Sequence, residues 1–167
     1  ISATLIYENG ILKKGLSRGD GVIGEDIFEN LKTISTIPKK ISSKNFPDLL
    51  EIRCEIYISK KDFIKLRNKF SNPRNAAGGS LRQKNPEETS KIPLKYFAYG
   101  LGAVQPTYFS KQSDFLKTIC DWGFVTNPIS KSLVGIEEIE KQHKKIDSLR
   151  SSLDYDIDGL VYKVNDL

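Results

Sequence analysis

Ser2-Ala3-Thr4-Leu5-Ile6-Tyr7-Glu8-Asn9-Gly10-Ile11-Leu12-Lys13-Lys14-Gly15-Leu16-Ser17 is the stretch that decides the fold class. Residues 2–8 read as a strand, and the Asn9-Gly10 that follows is a strong two-residue hairpin signal. Residues 11–17 then return as the partner strand. Beyond them, Arg18-Gly19-Asp20-Gly21-Val22-Ile23-Gly24 holds three glycines in a short span, so the backbone there turns sharply or approaches something closely.

Further out, the same antiparallel logic alternates with helices. Residues 25–34 predict a helix with Ile27, Leu31 and Ile34 on one face and Glu25-Asp26 in its first turn. Residues 49–58 predict an apolar, β-branched strand that puts Glu51, Arg53 and Glu55 on one face. A basic helix is expected over 60–70, with Phe63, Leu66 and Phe70 spaced by three and four and Asn72-Pro73-Arg74 as its break. The aromatic-rich residues 94–104 form a buried strand. Residues 110–122 and 137–149 form amphipathic helices, the first with Phe115, Ile119 and Trp122 on one face and capped by Gly123, the second with Ile139, His143, Ile146 and Leu149 on a stripe. Asp156-Ile157-Asp158-Gly159 leads into a last strand over 160–164. With no internal repeat and no second boundary, residues 1–167 are expected to be one α+β domain, a largely antiparallel sheet flanked by helices.

Bulk properties bound the function. The 167 residues are enough for one hydrophobic core, and 38% hydrophobic with 28% charged residues describes a globular chain rather than a disordered one. No apolar run has the length of a membrane span, so no membrane partner is expected. The net charge of +5 suits a polyanionic partner, although a solvated basic surface has the same composition. Cys54 and Cys120 are far apart and form no metal-spaced cluster; both are expected as reduced thiols in a cytoplasmic protein, with Cys120 buried in its helix. The absence of Met suggests a fragment. The lone His143 has no Cys or second His beside it and is expected on a helix surface rather than at a reaction centre.

Four constellations carry chemistry. Arg18, flanked by the glycines of Ser17-Arg18-Gly19-Asp20-Gly21, suits a phosphate contact or, equally, a plain hairpin exit. Glu55 is a carboxylate in an otherwise apolar strand, which is costly unless it accepts hydrogen bonds from a ribose hydroxyl or a neighbouring arginine. In Asn72-Pro73-Arg74-Asn75-Ala76-Ala77-Gly78-Gly79-Ser80-Leu81-Arg82-Gln83, two arginines flank small residues that let another backbone approach, a pattern that fits phosphate binding better than plain packing. Asp158, just before the last strand, and Lys163, within it, would hold a metal ion and neutralise phosphate oxygens; the alternative is an ordinary exposed lysine.

Taken in order, Tyr7-Glu8-Asn9-Gly10, Arg18-Gly19-Asp20-Gly21, Gly24-Glu25-Asp26, Glu55, Asn72-Pro73-Arg74-Asn75-Ala76-Ala77, Ser80-Leu81-Arg82-Gln83, Phe97, Tyr99-Gly100, Asp156-Ile157-Asp158-Gly159 and Lys163-Val164-Asn165 resemble the NAD-dependent bacterial DNA ligases over essentially the whole chain. The resemblance implies a nucleotidyltransferase (adenylation) domain with an ATP-grasp-like core. It implies joining of nicks in duplex DNA through lysyl-AMP and DNA-adenylate intermediates, with NAD and Mg²⁺ as cofactors, in replication and repair, by a monomeric protein. By the same resemblance, Arg18, Glu55, Tyr99 and Lys163 bind the nucleotide, Tyr99 by stacking on adenine. Lys163 and Asp158 serve catalysis, Asp158 as the metal residue. Arg74, Arg82 and Arg150 contact the nucleotide phosphate or the DNA. The family's nucleophilic lysine belongs to a Lys-x-Asp-Gly motif directly before Ile1, so the isolated chain is expected to be inactive. A further active-site lysine follows Leu167, and the family's zinc belongs to parts not present in this sequence. The family carries Gly where this chain has Cys54, whose side chain either crowds the wall of the site or fills space. A degenerate ligase-like remnant stays open as an alternative. An ATP-dependent ligase or RNA capping enzyme is a further one, against which the 72–77 and 17–21 blocks both argue.

Overall fold

The computed structural model describes residues 1–19 and 23–167. Four strands form one antiparallel sheet: β1 (Ser2–Glu8), β2 (Ile11–Ser17), β3 (Leu49–Tyr57) and β4 (Lys95–Gln105), in the order β2-β1-β3-β4. The hairpin forms as expected. Asn9 and Gly10 both take positive φ (48° and 75°), the pair of left-handed residues that lets a two-residue turn follow the strand twist. Among the described residues six α-helices accompany the sheet: α1 (Phe28–Lys32), α2 (Lys60–Phe63), α3 (Pro73–Leu81) and α4 (Pro86–Ser90) between strands, and α5 (Gln112–Asp121) and α6 (Gly135–Leu149) after β4. The result is a mixed α/β fold, and no helix among the described residues is long and apolar enough to cross a membrane.

Strict alternation along the central strands separates the sheet into two faces. Leu5, Tyr7, Leu50, Ile52, Cys54, Ile56, Tyr96 and Ala98 are buried, and they pack with Leu31, Ala76, Ala77, Leu81, Phe115 and Ile119 from the helices. Thr4, Arg53, Glu55 and Tyr99 lie on the other face, partly or wholly accessible. Cys54 is therefore turned into the core, fully buried between its strand neighbours Ala3 and Ala98, and it does not crowd the face that carries Glu55.

Several expectations are corrected. The helix expected over 25–34 shrinks to α1, because the residues before it remain extended against β2: Ser17 N–H donates to the Glu25 carbonyl and Ile27 N–H to that of Gly15. Asp26 is outside the helix, and its carboxylate accepts from Phe28 N–H. The apolar periodicity still marks the core, since Ile27, Leu31 and Ile34 are all buried. The basic helix over 60–70 breaks after one turn into a 3₁₀ segment, Ile64–Leu66. The small residues at 75–83 are not an open approach for another backbone. They form α3, started by Asn72, whose side chain accepts from Asn75 N–H, and by Pro73 in the first turn, where its missing N–H costs nothing. Ala76, Ala77, Gly78, Ser80 and Leu81 are buried in packing. Cys120 is exposed, one step off the apolar face of α5. Residues 160–164 are not a strand: they join no ladder and are largely exposed, so no buried face fixes them. The outer edge of β4 is instead met at Ala98 by Thr126.

Candidate active site

The polar face of the sheet begins at Glu55. At 2.9 Å its carboxylate accepts from Ser2 Oγ, because the β1–β3 register sets Ser2 opposite Glu55. The carboxylate that the sequence marked as costly is thus half-exposed and bonded, with no arginine partner among the described residues.

Beside it opens a cavity of about 340 Å³ lined by Ile1, Glu55, Tyr57, Lys60, Arg74, Asp158 and neighbouring residues. Two of its lining residues, Tyr57 and Tyr155, are aromatic, and Phe97 packs against both. Tyr57 and Phe97 stack across β3 and β4 with ring centroids 4.9 Å apart, and Tyr155 meets both edge-on at 5.5 and 5.3 Å. The Tyr155 hydroxyl is held by Asn127, whose side-chain nitrogen donates to it at 3.1 Å. The chain around Tyr155 is pinned as well: Lys60 N–H donates to the Asp154 carbonyl at 2.8 Å, Lys61 N–H to the Asp154 carboxylate at 3.1 Å, and Lys60 Nζ pairs with Asp156 at 3.2 Å. These contacts bring Asp158 across to Arg74, 3.7 Å away in the first turn of α3.

A second cluster lies further along the same face. Between the pairs Cys54–Ala98 and Arg53–Gly100 the register skips Tyr99, which forms a bulge. The Tyr99 carbonyl accepts from Gln112 Nε2 at 3.0 Å and from Lys163 Nζ at 3.3 Å, and the ammonium also sits 5.4 Å from the Tyr99 ring centroid. Desolvation, with Arg53 close by, holds Lys163 below the usual lysine range.

The structure therefore unites Glu55, Arg74 and Asp158 around one cavity, and Tyr99 with Lys163 beside it on the sheet. It leaves Arg18, Arg82 and Arg150 out of the cavity lining. Arg18 is exposed at the end of β2; Asp20 and Gly21 of its loop lie outside the described residues. Arg82 Nε bonds Glu25 at 2.9 Å. Arg150 donates to the Ile157 carbonyl at 2.6 Å and so braces the segment that carries Asp158. His143 is exposed as expected, with Nδ1 3.0 Å from the Tyr162 hydroxyl.

The family model described as the NAD-dependent DNA ligase adenylation domain matches residues 1–167. The chain belongs to this family. It is 52% identical over 166 residues to a DNA ligase of Pelagibacter ubique, an alignment that covers 99% of this chain and 25% of that protein. Against a DNA ligase of Rickettsia canadensis the identity is 48% over 174 residues, with the same coverage of 99% and 25%. Against one of Paracoccus denitrificans it is 42% over 172 residues, covering 100% and 22%. The adenylation-domain chain thus spans about a quarter of the length of the curated relatives it matches.

Within this adenylation-domain chain, sequence reasoning missed Tyr57, Lys60, Tyr155 and Asn127, which build and brace the cavity. Tyr57 was within reach, because it shares a strand face with Glu55. Tyr155 and Asn127 lie in irregular segments, where no periodicity signals a contact between residues 28 positions apart.

Proposed function

We propose that this chain is the nucleotide-handling core of a DNA ligase that uses NAD to join nicks in duplex DNA, on a nucleotidyltransferase fold of the ATP-grasp-like kind. The family match over residues 1–167 supports the class of reaction. The observation that carries the site is the meeting of Glu55, Arg74 and Asp158 around one cavity that begins at Ile1. By the resemblance, the nucleophilic lysine belongs to the motif directly before Ile1, a residue that lines this cavity.

NAD, when bound, supplies the adenylyl group. In this reading Glu55 accepts from the ribose, Tyr99 offers its ring to adenine, and Lys163 and Arg18 meet the nucleotide with positive charge. Such transfer chemistry depends mainly on positioning and charge neutralisation, which Glu55 and Tyr99 would provide from the sheet and Lys163 and Arg18 from segments beside it. Mg²⁺ fits the donor set in one way only. Asp158 and Asp156 are hard oxygen donors beside the cavity, yet no group of three His, Cys, Asp or Glu among the described residues could hold a metal alone. That suits an ion held by one or two carboxylates together with substrate phosphates. Arg74, Arg82 and Arg150 are the proposed contacts to nucleotide phosphate or nicked DNA.

The test uses the chain at the full length of its relatives and NAD labelled in the adenylyl phosphate. Glu55→Ala and Lys163→Ala are each expected to lower covalent self-adenylation by about 10²-fold or more, as for the loss of a preorganised charged contact. Arg67→Ala, exposed and away from the cavity, serves as the control and stays close to wild type. Equal rates for all three variants would remove the site assignment.

A further inference from the structure

Helix α3 carries Arg74 in its first turn and Arg82 at its C-cap, so it separates the two arginines by about 12 Å at 1.5 Å per residue. Its C-terminal carbonyls lack the usual glycine cap and need other donors. Two side chains supply them, and a third holds the residue just past the C-cap. Gln83 Nε2 donates to the Gly79 carbonyl at 3.1 Å, Thr89 Oγ1 to the Ser80 carbonyl at 2.7 Å, and Asn30 Nδ2 to the Gln83 carbonyl at 2.9 Å. Asn30 also donates to Thr89 Oγ1 at 2.7 Å, so the hydroxyl of Thr89 is engaged both as donor and as acceptor. Asn30 and Thr89 are 7% and 0% exposed, a depth at which polar groups are normally buried only when bonded. Nothing in the self-adenylation reading uses either residue.

We infer that Asn30 is a positioning residue for Arg82. From α1 its amide grips the backbone on both sides of the Arg82 Cα: directly at Gln83 and, through Thr89, at Ser80. That fixes where the guanidinium leaves the helix, while Glu25 on the segment leading into α1 holds its Nε. The end of α3 is thereby tied to α1 and to the segment leading into it, which restricts where the guanidinium can meet a phosphate. This rests on the reading of Arg82 as a phosphate contact.

The experiment is a double-mutant cycle in the chain at the full length of its relatives, read by nick joining, self-adenylation and thermal unfolding. Asn30→Ala is expected to slow one of the two reactions about tenfold, as misplacement of a positioned group does. The loss falls in nick joining if the phosphate belongs to DNA, and in self-adenylation if it belongs to the nucleotide. Introduced into Arg82→Ala, the same change should cost less than about twofold in that reaction, since groups acting as a unit are not additive. It should still lower the unfolding temperature. Thr89→Val should repeat the pattern, and so keeps the cycle readable if Asn30→Ala folds poorly; Thr89→Ser, which keeps the hydroxyl, should retain activity. Equal losses from Asn30→Ala in both backgrounds would mean a general structural role and overturn this inference alone. An Arg82→Ala protein with wild-type rates in both reactions would overturn the assignment of Arg82 and this inference with it, while leaving the tests of Glu55 and Lys163 standing.

Discussion

At the scale of single residues, residue type and motif are legible in the sequence and orientation is not. Glu55, Arg74 and Asp158 were identified from residue type and motif, and they do share a cavity. Cys54 was ambiguous because its effect depends on which face of β3 it occupies, and only the register decides that. It faces the core with Ala3 and Ala98 on either side, and burial pushes its thiol up to about 12. The thiol is therefore neutral through the physiological range and shielded from reagents. In the native chain iodoacetamide at mildly alkaline pH should label the exposed Cys120 and spare Cys54, and both should react in denaturant. Cys54→Gly removes a buried side chain and adds backbone freedom in mid-strand, so a loss of about 1–2 kcal/mol of stability is expected, with nucleotide affinity unchanged. Urea unfolding and calorimetric titration with AMP read the two effects separately. A variant of undiminished stability with altered AMP affinity would place Cys54 at the site after all.

At the scale of elements, the strands and the hairpin were legible because period-two alternation and Asn9-Gly10 act locally. The helix ends were not, because they answer to tertiary pairing. Ile27, Leu31 and Ile34 have helical spacing and are buried, yet Glu25 and Ile27 use their backbones to extend the edge of β2, so α1 starts at Phe28. Residues 160–164 have a strand-like sequence, yet among the described residues they join no ladder. Where α1 crosses β2, the fit is close enough to test. A Cβ on Gly15 would lie 2.6 Å from Leu31 Cδ1 and 3.2 Å from the Cα of Phe28. Leu31 is fully buried and cannot swing away, and the Phe28 backbone belongs to the helix. Gly15→Ala should therefore destabilise the fold by about 1–3 kcal/mol despite the entropic advantage of alanine in the unfolded chain. Gly159→Ala, with open space around the position, should be neutral or slightly stabilising in the same urea titration. Equal midpoints for the two variants would show that α1 is free to ride up on β2.

At the scale of the whole molecule, the net charge of +5 matters only through where cations are free to act. Arg74 and Arg82, at the two ends of α3, are 77% and 63% exposed, and their partners Asp158 and Glu25 are exposed too. Such surface pairs contribute at most about 1 kcal/mol each, so a phosphate can displace either carboxylate. Lys39 is different: its ammonium donates to the Ile34 carbonyl at 2.9 Å, and desolvation lowers its pKa. Duplex DNA should therefore bind this chain weakly, in the non-specific range of about 10⁻⁴ to 10⁻⁶ M at physiological salt, with affinity falling steeply as salt rises. Every cation withdrawn from a phosphate takes about 0.9 off the slope of log affinity against log salt, so Arg74→Ala with Arg82→Ala should flatten that slope by about two. Neutralising Lys39 and Lys40 should change it less, because one of the two is already committed to a backbone carbonyl. Fluorescence anisotropy at several salt concentrations, on nicked and intact duplexes, measures all of this. Preference for the nick should be slight, because exposed arginines at the two ends of α3 would meet any backbone phosphate alike. An unchanged slope in the double arginine variant would mean that the ends of α3 form a solvated face and that DNA is met elsewhere.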